Sequence, residues 1–118
     1  MESRRPYTLS VFVFIETPLF TRLAADYLSD DELSAVQRRL SDTPETGDLI
    51  PGSGGLRKMR WAASGRGKRG GVRIIYYART RAGVIWLLTL YAKNEADNIS
   101  THTLRRIAKE IEDGQSQT

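Results

Sequence analysis

The chain has 118 residues, which suits one domain with a small core, and its 40% hydrophobic and 27% charged residues are ordinary for a globular protein. It carries no cysteine and one histidine, which excludes a disulfide framework, a thiolate zinc site and a two-histidine acid–base pair. The net charge of +4 conceals an asymmetry: from Leu49 to Asn94 there is no Asp or Glu but ten Lys or Arg, while the rest of the chain holds all 14 acids against eight bases.

The first predicted element is a strand, Tyr7 to Ile15, "YTLSVFVFI". β-branched and aromatic residues dominate it, and its continuously apolar second half predicts a central strand or one covered on both faces. The apolar run is too short for a signal-peptide core or a membrane span, so no membrane partner and a cytoplasmic location are expected. Thr17-Pro18 then offers an N-cap and a proline at the first helical position. Leu19, Phe20, Leu23, Ala24, Tyr27 and Leu28 follow at helical spacing. A capping box, Ser29-Asp30-Asp31-Glu32, opens a second helix with Leu33, Val36 and Leu40 on one face.

"DTPETGDLIPGSGG" reads as a loop. Three strands follow, Leu56 to Ala63, Val72 to Thr80 and Val84 to Tyr91, joined by the basic turn "SGRGKRGG" and by "RAG". Such tight spacing predicts an antiparallel meander. A last helix runs from Ser100 or Thr101 to Glu112, with Leu104, Ile107, Ala108 and Ile111 on one face. The order β-α-α-β-β-β-α predicts one α+β domain over residues 1–118, its helices on one face of an antiparallel sheet and a basic face left open.

Strand periodicity gives the charges a direction, because alternate residues face opposite sides. Met59 and Trp61 share one side and Lys58 and Arg60 the other. Val72, Ile74 and Tyr76 share a side, opposite Arg73, Ile75 and Tyr77. If Met59 and Trp61 face the helices, Lys58, Arg60 and Arg73 line a cationic groove with Tyr77 nearby. Adjacent cations repel unless an anion lies between them, so the cluster suits a phosphate. Arg66, Lys68 and Arg69 in the turn would reach a more distant stretch of backbone. The bland alternatives are cations paired with helix acids and a solvated basic face.

At this point the residues resemble a family. The element order, "GDLIPGSGGLRKMRW", "GKRGGVRIIYY" and "LLTLYAKNEADNIS" are similar to toxins of the RelE/ParE superfamily, and more narrowly to HigB-like mRNA interferases of type II toxin–antitoxin systems. The resemblance implies a RelE-like fold and a ribosome-dependent endoribonuclease that cleaves mRNA, inhibits translation and is restrained by a cognate antitoxin, a HigA-like DNA-binding protein. No cofactor is expected, and no metal site either, with no cysteine, one histidine and no acid on the cationic strands. The family's sheet cations fall on Lys58, Arg60 and Arg73, and its last-strand basic position on Lys93 with Tyr91 beside it. Arg57, next to Lys58, joins Arg66, Lys68, Arg69 and Tyr77 as an RNA-binding candidate. Several relatives place a tyrosine on or before the final helix, whereas no tyrosine follows Tyr91 here.

RNA cleavage without metal needs a 2′-OH deprotonated, a crowded phosphate stabilised and a 5′-oxygen protonated. Arg60 and Arg73 are the candidates for the phosphate. Lys58 or Lys93 is the candidate acid or base, an amine crowded by like charge being the easier to deprotonate. Tyr91 or Tyr77 would stack a base or donate a proton, unless either is a core ring. His102, at the start of the last helix, reads as a surface residue. Two other readings share the cationic face: a nonenzymatic nucleic-acid or ribosome-binding module, and a gyrase-directed toxin of the ParE type.

Overall fold

The computed structural model describes residues 12–62, 71–93 and 100–116. Five strands and three helices follow in the order β1 (Val13–Glu16), α1 (Pro18–Tyr27), α2 (Asp30–Asp42), β2 (Asp48–Leu49), β3 (Arg57–Trp61), β4 (Val72–Arg79), β5 (Val84–Ala92) and α3 (Thr101–Ser116). The strands form one sheet in the order β1-β5-β4-β3-β2. β2 to β5 pair antiparallel, as the short connections require, and β1 pairs β5 in parallel.

Both helix starts form where their caps predict. Thr17 accepts the Phe20 N–H at 3.0 Å, with Pro18 in the first turn. Ser29 and Glu32 close a reciprocal capping box, Glu32 N–H to Ser29 Oγ at 3.1 Å and Ser29 N–H to Glu32 Oε1 at 2.9 Å. The apolar stripes then meet one sheet face. Phe20, Ala24, Leu28, Val36 and Leu40 pack with Met59, Val72, Ile74, Tyr76, Ile85, Leu87 and Leu90 in the first core.

Four expectations change, beginning with the parallel β1–β5 pair, which makes mixed a sheet expected to be antiparallel. The helices do not all share one face: α3 packs on the opposite side, where Leu104, Ala108 and Ile111 form a second core with Leu56, Ile75, Tyr77 and Leu88. The first face is already filled by α1 and α2, and the second offers an apolar half that α3 can cover. Next, β1 is an edge strand, and Val13 is 61% exposed. Only one parity of its apolar run meets a core: Phe12 and Phe14 pack against the first, and Val13 and Ile15 belong to neither. Finally, the expected loop after α2 contains the two-residue strand β2, which pairs Asp48 with Lys58 and Leu49 with Arg57.

Candidate functional site

Cross-strand partners point to the same face, so the register identifies neighbours directly. Arg60 on β3 lies opposite Arg73 on β4, and Arg73 lies opposite Tyr91 on β5. These three residues form a row across the middle of the sheet, one residue from the hairpin end where Trp61 meets Val72. Lys58 stands two residues from Arg60 on the same side, about 7 Å along the strand, in a row with Ile75 and Thr89. Arg60 and Lys93 are exposed, and Lys58, Arg73 and Tyr91 are partly buried.

α3 shares this face but takes its other half. Its first turns are seated on the loop before β3, where Arg105 Nε donates to Gly52 O at 2.9 Å. That loop is itself pinned by Ser53, a fully buried side chain whose Oγ accepts the Leu56 N–H at 3.0 Å. At its far end Glu112 accepts the Tyr77 hydroxyl and pairs with Arg79 at 3.5 Å. Tyr91 and Ile107 lie partly buried at the border of the second core. The face is therefore divided: an apolar half under α3, and a cationic half from Arg60 to Tyr91 beside it.

Two candidates leave the row. Tyr77 is 6% exposed beneath α3, and its hydroxyl is engaged by Glu112. Burial, and next the bond to the Glu112 carboxylate, hold its pKa above the usual tyrosine value. Arg57 shares the parity of Met59 and points to the first core's side. Its Nη1 donates to Gly47 O at 2.7 Å and Glu45 O at 3.4 Å. Beside it the fully buried Tyr76 hydroxyl donates to Pro44 O at 2.7 Å and accepts the Gly47 N–H at 2.9 Å. Arg57 and Tyr76 thus tie down the segment entering β2. Arg66, Lys68 and Arg69 lie outside the described residues.

One acid joins the patch. Asp48 lies opposite Lys58 on β2, at the outer edge of the cationic strip. It stands one residue before the acid-free stretch, and its approach depends on β2, which no periodicity signalled. Among the described residues no three His, Cys, Asp or Glu are grouped to hold a metal, and no helix is long and apolar enough to cross a membrane.

Two guanidinium groups brought side by side offer several donors to one phosphate. The amine of Lys58 on β3, that of Lys93 just past the end of β5, and a phenol at the end of the row add groups that can carry protons. Binding a phosphodiester and moving a proton beside it are both within this chemistry. Among known families, a family model described as the RelE toxin of the RelE/RelB toxin–antitoxin system matches residues 13–117.

Proposed function

The chain belongs to the RelE toxin family of toxin–antitoxin systems, and from that premise we propose that it is a ribosome-dependent endoribonuclease, an mRNA interferase of the HigB-like branch. Membership of the family implies an antitoxin as partner. Its HigA-like character and the mRNA on the ribosome as substrate belong to this proposal. The observation that carries it is the Arg60–Arg73–Tyr91 row on the half of the sheet that α3 leaves uncovered.

In this reading Arg60 and Arg73 grip the scissile phosphate. The 2′-oxygen attacks phosphorus, the new P–O2′ bond forms, and the P–O5′ bond breaks. The products are a 2′,3′-cyclic phosphate and a 5′-hydroxyl. As the extra negative charge develops on phosphorus, the two guanidinium groups offset it without rearranging. Lys58, Lys93 and Tyr91 are the groups available to take the 2′-OH proton and to protonate the leaving oxygen. No metal enters the scheme. The ribosome holds the mRNA in position, which supplies the orientation that so small a site lacks.

The cellular test is inducible expression with mapping of mRNA 5′ ends. Wild type should create new ends within translated frames and arrest growth, and co-expressed antitoxin should abolish both. Arg73→Ala should create none. Growth arrest with intact mRNA and damaged DNA would support the gyrase-directed reading instead. Ribosome binding without new ends would support the nonenzymatic module.

A further inference from the structure

The placement of Tyr91 depends on an irregularity in its own strand. Ile85 and Leu87 belong to the first core. Strict alternation would carry Thr89 and Tyr91 to the same side, towards α1 and α2, and would turn Leu88 and Leu90 away. Leu88 does lie in the second core, but Leu90 lies in the first. The register explains it: Ile75 pairs with Thr89 but Tyr76 pairs with Leu87, which leaves Leu88 as the extra residue of a β-bulge. A one-residue shift moves every later side chain to the other face. The bulge therefore decides that Tyr91 stands opposite Arg73.

The extra residue of a bulge falls outside the ladder, and its buried polar groups need other partners. Here the Leu88 carbonyl accepts the Thr17 hydroxyl at 2.7 Å. The Thr17 N–H donates to the adjacent Leu87 carbonyl at 3.1 Å. The same hydroxyl oxygen accepts the Phe20 N–H and caps α1. Thr17 thus joins the end of β1, the start of α1 and the bulge through one small side chain. An oxygen that both donates and accepts is required, which a hydroxyl supplies and a methyl does not.

We propose that Thr17 is a positioning residue for RNA cleavage: by holding the β5 bulge through the Leu88 carbonyl, it keeps Tyr91 on the Arg60–Arg73 face. The inference rests on the reading of this row as the cleavage site. It names a residue on the other side of the sheet from the phosphate, acting through Tyr91.

The test compares Thr17→Val, which has no hydroxyl, with Thr17→Ser, which keeps it. A third variant, Thr17→Asp, retains an oxygen to cap α1 but as a carboxylate has no proton to give Leu88, so it remains informative if Thr17→Val folds poorly. Two readouts are taken on the full chain. The first is the nuclear Overhauser contact between the Tyr91 ring and the Arg73 side chain, which does not depend on activity. The second is mRNA cleavage on ribosomes, with kcat and KM separated. Thr17→Ser should match wild type in both. Thr17→Val and Thr17→Asp should weaken the contact and lower kcat roughly ten- to a hundredfold, with KM little changed because Arg60 and Arg73 sit on β3 and β4. Added to Tyr91→Phe, Thr17→Val should cost little more in kcat. Ser29→Ala, which removes the α2 cap at similar cost in stability, should leave both readouts intact. An unchanged contact in Thr17→Val and Thr17→Asp overturns the inference, as does an equal fall in kcat with Ser29→Ala. If wild type cleaves no RNA, the functional reading fails while the contact still decides whether Thr17 holds Tyr91.

Discussion

Arg60→Gln should stabilise the fold and disable the site at once. Arg60 and Arg73 are direct cross-strand partners, so their Cβ atoms lie about 5 Å apart. Guanidinium groups about 6 Å apart repel by roughly 0.7 to 3 kcal/mol for effective dielectric constants between about 80 and about 20. Arg60 is exposed, so solvent screening brings this to roughly 0.5–1 kcal/mol. Glutamine removes the charge and leaves a shorter polar side chain. For a domain of this size the melting temperature should rise by about 2–4 °C at low salt. The gain should fade in about 1 M NaCl, where the screening length is only about 3 Å. Cleavage should move the opposite way. A charge-assisted hydrogen bond to phosphate contributes about 1.5–3 kcal/mol, so kcat/KM should fall roughly 10- to 150-fold. Thermal denaturation at two salt concentrations and cleavage on ribosomes measure both. A lower melting temperature at low salt would refute the idea that the two cations oppose each other in the free protein. Wild-type cleavage by the variant would remove Arg60 from the site.

Further outcomes follow from the parts that hold the row in place. Tyr76→Phe strips both the Pro44 carbonyl and the Gly47 N–H of their partner, and should cost roughly 2–4 kcal/mol in urea denaturation while the folded fraction still cleaves RNA. Gly71 has φ of +76°, and a Cβ there would lie 2.2 Å from the Trp61 carbonyl oxygen. Since the Lys93 N–H also donates to Gly71 O at 3.2 Å, Gly71→Ala should cost roughly 2–4 kcal/mol and reduce cleavage as well. Tyr76 and Tyr77 both have raised pKa values, chiefly from burial. Their folded forms hold the proton more tightly than the unfolded chain does. The associated stability is complete below pH 10.0, the usual tyrosine value, and declines as pH rises through the folded pKa values. Urea midpoints should therefore hold up to about pH 10 and drop above it, less steeply in Tyr77→Phe; a flat profile would contradict the linkage.

Much of the frame was legible because local rules wrote it. Thr17-Pro18 and the Ser29–Glu32 box announced their helices, and both caps form as read. Period-two alternation in β3 and β4 separated Met59, Val72, Ile74 and Tyr76 from Ile75 and Tyr77, and the two cores divide along that line. The same rule, applied one residue earlier, would have put Arg57 with Met59 on the helix side. What escaped was non-local. The periodicity of α3 reveals its apolar stripe but not which sheet face receives it, so Tyr77 read as accessible when it lies under the helix. β2 is too short to leave a pattern. The bulge at Leu88 leaves no mark in "WLLTLY", where apolar residues occupy both parities. Yet that bulge is what brings Tyr91 into line with Arg73.

The central claim is that the Arg60–Arg73 pair cleaves mRNA by attack of its own 2′-OH, on the ribosome and without metal. The most direct measurement combines purified protein, translating ribosomes and a defined mRNA in the presence of a chelator selective for transition metals, with the chemistry of the new ends determined. The account predicts 2′,3′-cyclic phosphate and 5′-hydroxyl ends from wild type, and none from Arg73→Ala that remains folded. Ends bearing a 5′-phosphate, cleavage abolished by the chelator, or undiminished cleavage by Arg73→Ala would contradict it.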